Sequence, residues 1–283
     1  MKLGSLALIL ALGTPLGACS NSPKRQSGGG SSPSAHLDPD VAPVTLGSWY
    51  KPDENTFWQI QLQGTLNTTY NVTVYDIDLF DTSEASIAAL QTAGRKVICY
   101  FSAGSSENWR DDFGDLSASS MGNELDGWAG ERWLDIRSQD VLDLMLARLD
   151  LAVEKGCDGV DPDNVNGYQN DTGFDLSARE QLAFNRRIAN EARERGLAVA
   201  LKNDGDQVID LVDYFDFSVQ EECHEFDECA LYEPFVAAGK PVFNIEYGTD
   251  SATVCAPARA RDFRTLIMPL ALDGSSRVSC DDP

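Results

Sequence analysis

Apolar positions between residues 46 and 283 fall into short continuous runs, separated by segments with helical spacing. Eight runs read as strands, at residues 57–62, 72–78, 96–102, 158–163, 198–203, 215–221, 242–247 and 265–270. Continuous rather than alternating apolar runs belong to parallel strands covered on both faces. Between them, Val141, Leu142, Met145, Leu149 and Ala152 form one stripe along a helix over 139–155 that Ser138 can cap. Ser177-Ala178-Arg179-Glu180 is a capping box that opens a second helix running to Arg195. Gly94, Gly156, Gly196 and Gly239 each stand where a helix ends and a strand follows almost at once. This alternation predicts an α/β fold, a single-domain (β/α)8 TIM barrel. The rival is a doubly wound sheet, but no G-x-G-x-x-G follows the first strand. Residues 103–137 are too long for a plain connection and predict an insertion with structure of its own, with Trp133-Leu134-Asp135-Ile136 as a small extra strand.

The amino terminus has a different pattern. Met1-Lys2 leads into an apolar run and then Leu16-Gly17-Ala18-Cys19, the shape of a secretory signal ending in a bacterial lipobox. The expected organisation is a signal peptide over 1–18 and a flexible Ser/Gly/Pro tether over 19–45, followed by the folded domain at 46–283. Cys19 is then the lipidated residue, holding an exported protein to the cell surface or outer membrane. The other six cysteines of an exported chain point to disulfides. Cys223–Cys229 and Cys255–Cys280 are the local pairings, with Cys99 and Cys157 a third pair or two buried thiols. A net charge of −23 argues against nucleic acid as a partner, because phosphate binding needs clustered Lys and Arg.

Candidate chemistry lies at the carboxyl ends of the predicted strands, where barrels keep their active sites. In order these ends carry Asp76 and Asp78, Tyr100 and Ser102, Asp161 and Asp163, then Lys202, Asn203 and Asp204, Glu221 and Glu222, and Glu246 and Tyr247. Asp161 and Asp163 flank Pro162, so both point to one side of an extended strand. Carboxylates on opposite strands are what glycosidic hydrolysis requires: one protonates the leaving oxygen, the other attacks the anomeric carbon or activates water. A Ser-His-Asp set finds only His224 in the folded part, and no H-E-x-x-H or phosphate loop occurs. The Asp161–Gly167 run misses the oxygen ligands of a calcium loop at its fifth and twelfth positions. Neither a metal nor a cofactor is expected.

Several segments carry a resemblance. Val97-Ile-Cys-Tyr-Phe-Ser-Ala-Gly104, Asp158-Gly-Val-Asp-Pro-Asp-Asn-Val165, Leu201-Lys-Asn203, Val219-Gln-Glu-Glu-Cys223 with Asp227-Glu-Cys229, and Lys240-Pro-Val-Phe-Asn-Ile-Glu-Tyr247 resemble the glycoside hydrolase family 114 domain, from about residue 45 to 272. The resemblance implies a (β/α)8 barrel and endo-α-1,4-polygalactosaminidase activity on a partly deacetylated, hence cationic, galactosaminoglycan. It places the catalytic carboxylates on Asp163 or Asp161 and on Glu221. Asp163 is the preferred nucleophile and Glu221 the general acid/base, whose pKa must be raised for that role. Asp76, Asp78, Tyr100, Asn164, Lys202, Asn203, Glu222, Glu246 and Tyr247 are the expected substrate-binding residues, in a monomer. Gln220 stands where the family more often has Asn. Two rivals stay open: a non-catalytic binder of amino-sugar polymers, and a glycosidase of another amino-sugar specificity.

Overall fold

In the computed structural model, which describes residues 34–281, the eight predicted strands are present and run parallel. They are β1 (Trp58–Gln61), β2 (Val74–Asp78) and β3 (Lys96–Ser102), then, after an insertion holding β4 (Ser105–Glu107), β5 (Met121–Glu124) and β6 (Glu131–Leu134), β7 (Gly159–Asp163), β8 (Ala198–Lys202), β9 (Phe217–Glu221), β10 (Val242–Tyr247) and β11 (Arg264–Met268). The sheet order is β1-β2-β3-β7-β8-β9-β10-β11, with a short antiparallel β12 (Val278–Ser279) beyond β11. Helices α1 (Glu84–Thr92), α2 (Gln139–Lys155), α3 (Ala178–Glu194), α4 (Val208–Leu211), α5 (Glu233–Ala237) and α6 (Ser251–Ala260) fill the connections.

The helices form where the sequence pattern places them. Helix α2 buries the stripe Val141, Leu142, Met145, Leu149 and Ala152, and α3 carries both reciprocal bonds of the Ser177/Glu180 capping box. The four glycines after helix ends all take φ between +70° and +82°, where a Cβ would be strained. Ser138 occupies the N-cap of α2 but makes no side-chain capping bond there.

Alternate strand residues divide two buried cores. Trp58, Ile60, Val74, Ile98, Ala198, Ala200, Phe217, Val219, Phe243, Ile245, Leu266 and Met268 share an inner cluster, to which both the first and the last parallel strand contribute. Their neighbours Tyr75, Ile77, Val97, Phe101, Val160 and Val199 face outward and pack with the helices. The sheet therefore curls until its two edges meet side chain to side chain.

The expectation of a fully closed barrel is corrected at the seam. Among the described residues no ladder joins β1 to β11, because β12 takes the free edge of β11. Side chains and loops bridge the gap instead. The Trp58 indole donates to the Arg264 carbonyl at 2.7 Å and stacks on Phe243 at 4.7 Å, and the Leu62 amide donates to the Leu272 carbonyl at 2.9 Å.

The expected tether also ends earlier than residue 45. Residues 34–45 lie along α3, where Asn190 pairs with both the Val44 amide and the Ala42 carbonyl, and Arg193 donates to the Val44 carbonyl. Leu37 and Val41 pack against the outer core. Composition alone missed this because the segment is held through its backbone by long polar side chains rather than by apolar burial. The signal peptide and Cys19 lie outside the described residues.

Three cysteine pairs bond: Cys99–Cys157, Cys223–Cys229 and Cys255–Cys280. The second closes a six-residue separation directly after Glu221 and Glu222, so it restrains the loop that follows the sixth parallel strand.

Candidate active site

The inward positions at the carboxyl ends of β2, β3, β7, β8, β9 and β10 converge on one polar cluster. Its lower layer is Asp76, Asp161 and Lys202, each no more than 1% exposed. The Lys202 ammonium lies 3.3 Å from Asp161 Oδ2 and 3.9 Å from Glu221 Oε2, and 5.3 Å from the centre of the Tyr100 ring. Above it, half-buried, Asp163 and Glu221 face the opening on two sides of Lys202.

Each of these two carboxylates is held at both oxygens. Tyr100 donates its hydroxyl to Asp163 Oδ2 at 2.9 Å, and the Asn164 amide donates to Oδ1 at 2.6 Å. Tyr247 donates its hydroxyl to Glu221 Oε1, while Asn203 Nδ2 donates to Oε2 at 3.0 Å and Asn203 Oδ1 accepts from the Glu221 amide. Burial pushes both phenols up, so they stay protonated and act as donors. The tightness of this mouth is written in the backbone. Asn164, Asn203, Asp204 and Glu222 all adopt left-handed φ between 49° and 60°, each just past a strand end. Gly104 lets the β3–β4 turn close over β7: a Cβ there would lie 1.8 Å from the Asn164 carbonyl oxygen.

The electrostatics are unequal across the cluster. Burial alone would push the Lys202 ammonium down, but Asp161, Asp163 and Glu221 outweigh it and hold it well above its ordinary value. Burial raises Asp161 to about 6 despite Lys202 beside it, and raises Asp163 with the help of the Glu221 charge. Glu221 goes the other way. Burial would raise it, yet Lys202, Tyr247 and Asn203 together bring it below the ordinary carboxylate range. The requirement that Glu221 be raised is therefore not met in the free protein, because its neighbours are a cation and two donors.

Three expected site residues lie apart from this cluster. Asp78 is buried against Arg110, which reaches both its oxygens at 3.2 and 2.6 Å, so its charge is already paired. Glu246 is fully buried on the outward side of β10, accepting from the His224 amide and Asn244 Nδ2; strand alternation turns it away from the opening that its neighbour Tyr247 faces. Glu222 reaches the rim, where burial and the charges of Glu221, Glu246 and Glu225 raise its pKa.

The insertion supplies further groups at the opening. The insertion forms a three-stranded antiparallel sheet, β4-β6-β5, whose central strand is the one expected around Trp133. It presents Trp128 and Glu131 to the mouth. Ser105 donates to Glu131 Oε2 at 2.7 Å, while burial raises Glu131 to about 7. Two hollows share Leu62, Tyr100, Trp128, Glu131, Leu270 and Leu272, so they read as the lobes of one groove passing the carboxylates. Trp109 lines one lobe and Trp128 both, each about half exposed. Trp58 and Trp49 do not line the groove: Trp58 lies in the inner core, and Trp49 donates its indole to Asp216.

The Glycoside-hydrolase family GH114 profile matches residues 40–283. Among solved structures, the chain is similar to Aspergillus fumigatus Ega3 in complex with galactosamine, at 43% identity and a TM-score of 0.79, covering 83% of this chain and 99% of that one. The glycoside hydrolase domain of PelA from Pseudomonas aeruginosa shares the fold, at a TM-score of 0.63 and 13% identity, covering 79% of this chain and 98% of that one. An uncharacterised protein of Deinococcus radiodurans is 27% identical over 281 residues, 87% of this chain and 90% of that protein. The curled parallel sheet, the carboxylates at its mouth and the match across nearly all of the described residues lead to one assignment: the chain belongs to glycoside hydrolase family 114 and is a glycoside hydrolase.

Proposed function

We propose that this protein is an endo-acting hydrolase of α-1,4-linked galactosamine polymers, with Asp163 and Glu221 as its catalytic carboxylates. The observation that carries the reading is the placement of these two half-buried acids at the floor of one open groove, each braced by a tyrosine and a backbone amide or asparagine. A groove that continues on both sides accepts the middle of a chain, as endo cleavage requires. Carboxylates in excess of cations suit a polymer of ammonium-bearing sugars, and the likeness to a galactosamine-bound relative supports that substrate class. Asp163 attacks the anomeric carbon while Glu221 protonates the departing oxygen, then activates the water that releases the product. Asp161 lies beneath the groove and Lys202 lines its floor, and together they set the charge of the pair from below. The protein acts outside the cell, held at a membrane surface through Cys19, and as a monomer.

One observation favours exchanging the two roles. In the free protein Glu221 is the more acidic member, which suits a nucleophile, and Asp163 the one pushed up, which suits an acid. Azide rescue separates the assignments. With an activated α-galactosaminide, Asp163→Ala yields the β-glycosyl azide and Glu221→Ala the α-azide if Asp163 is the nucleophile; the reverse pattern exchanges them. The reading as a whole is tested by new reducing ends from deacetylated galactosaminogalactan. Wild type releases them and Asp163→Asn and Glu221→Gln do not. Cleavage undiminished in Glu221→Gln, or binding without cleavage by wild type, would end it.

A further inference from the structure

Beneath the proposed pair, the orphaned oxygens of two buried aspartates point to a second, non-catalytic use of carboxylates. Asp76 Oδ1 and Oδ2 and Asp161 Oδ1 are all inaccessible and, counted as ionised acceptors, have no partner. Asp76, two residues beyond the inward Val74, and Asp161, in contact with Lys202, both project inward, and Asp161 is a hydrogen-bonding neighbour of Asp76. Two ionised carboxylates cannot bond to each other, and an unpartnered buried carboxylate is among the costliest groups a protein can hold. One proton between them removes the difficulty, since it turns an acceptor on one side into a donor for the other.

The surroundings decide which aspartate carries it. Asp161 Oδ2 receives the Lys202 ammonium at 3.3 Å, whereas no cation contacts Asp76. The other charged or titratable groups turned toward the pair are Asp163 from β7, Lys202 from β8 and Glu221 from β9, with Tyr100 of β3 and Tyr247 of β10 on the rim. Lys202 is the one cation among them. It lies against Asp161 and Glu221, and its pull on Asp76 is outweighed by burial and by the Asp161 charge.

We propose that Asp76 is a neutral carboxylic acid that donates its proton to Asp161 Oδ1, and that this shared proton fixes the Asp161–Lys202 pair on which the catalytic carboxylates rest. Asp76 is then a positioning residue: it never meets substrate, but it keeps Asp161 ionised and oriented, and Asp161 keeps Lys202 between Asp163 and Glu221. The kinetic consequence rests on the proposed role of that pair; the protonation state does not.

Infrared difference spectroscopy on protein with isotope-labelled aspartate tests the protonation directly. Wild type at neutral pH shows carboxylic-acid carbonyl bands from two aspartates; Asp204→Asn removes the one that belongs to Asp204, raised to about 8, and Asp76→Asn removes the other, which Glu221→Gln retains. Absence of that other band in wild type, or its persistence in Asp76→Asn, overturns the proposal. The kinetic arm compares Asp76→Ala with Asp76→Asn, whose amide can still donate to Asp161. Asp76→Ala lowers kcat about tenfold, the scale of a buried acceptor losing its donor, with KM little changed. It also moves the acid limb of kcat/KM upward, because Asp161 without its donor holds its proton to higher pH. Asp76→Asn recovers most of the loss. Equal losses in both variants with an unmoved pH profile would mean that the side chain is only filler. The infrared result needs no substrate, so a protein that cleaves some other glycan leaves it standing, and if Asp76→Ala does not fold, wild type and Asp76→Asn still decide the question.

Discussion

Two clusters of buried acid sit at neighbouring strand ends of this protein, and they are built on opposite principles. In the first, Asp78 and Glu107 meet Arg110, and Arg148 adds contacts to Glu107 and Asp112. Two buried arginines face two buried carboxylates, every guanidinium fork is engaged, and the Phe80 ring lies against both cations. In the second, Asp76, Asp161, Asp163 and Glu221 share the single cation Lys202. The first cluster sets an arginine against each buried carboxylate, although burial still raises Glu107, and it locks the β4 end of the insertion to β2. The second is under-neutralised, and its excess negative charge is what leaves pKa values spread and oxygens open to a ligand. Buried acid alone does not mark a site; acid in excess of its cations does.

Breaking each cluster at its cation sharpens the contrast. Lys202→Met should cost the most activity, on the order of 10²-fold or more in kcat/KM, since it removes the charge that both proposed catalytic carboxylates feel. It should also move the alkaline limb of the pH profile upward, because Lys202 is what holds Glu221 low. A pH–rate series on reducing-end release checks both. Arg110→Met should act on stability, costing about 3–5 kcal/mol by leaving Asp78 and Glu107 buried without their partner; urea unfolding measures it.

The pH dependence of stability reports the buried acids around the mouth without mutation. Asp161 at about 6, Glu131 at about 7 and Asp204 at about 8 all lie above their unfolded values, mainly through burial. The folded state then binds more protons than the unfolded one, so stability falls as pH rises from about 4 through 8. Glu221, which is lowered, opposes this only at the acid end. Melting should occur at a higher temperature at pH 5 than at pH 8, and a stability maximum at pH 8 would contradict the assignment. The smallest effect is expected at the groove wall. Trp128→Ala should weaken polymer binding several-fold, about 0.5–1.5 kcal/mol for a lost aromatic contact, with kcat nearly unchanged. Isothermal titration against a galactosamine oligomer reads it.

Much of this molecule was legible from residue order. Period and glycine placement located all eight parallel strands to within two residues at most of their ends, together with α2 and α3, because those signals are local. Strand alternation also put Asp161 and Asp163 on one side, the side that faces Lys202. Where reading failed, a partner distant in sequence intervened. Asp78 looked like an ammonium site until Arg110, 32 residues on, took both its oxygens. Glu246 looked equivalent to Tyr247, but the pleat turned it away. Gly104 seemed one small residue among many; only the Asn164 carbonyl against it explains why it has no side chain.

The chain order thus determined the element types, the repeated strand–helix unit and the carboxyl-end acids, since periodicity, caps and turn residues act over a few positions. Closure at the seam, the pairing of each acid with or without a cation, and the sign of each pKa shift were decided only in three dimensions. Those depend on which side chains from separate strands arrive at the same place, and on how much water the surrounding protein removes when they do.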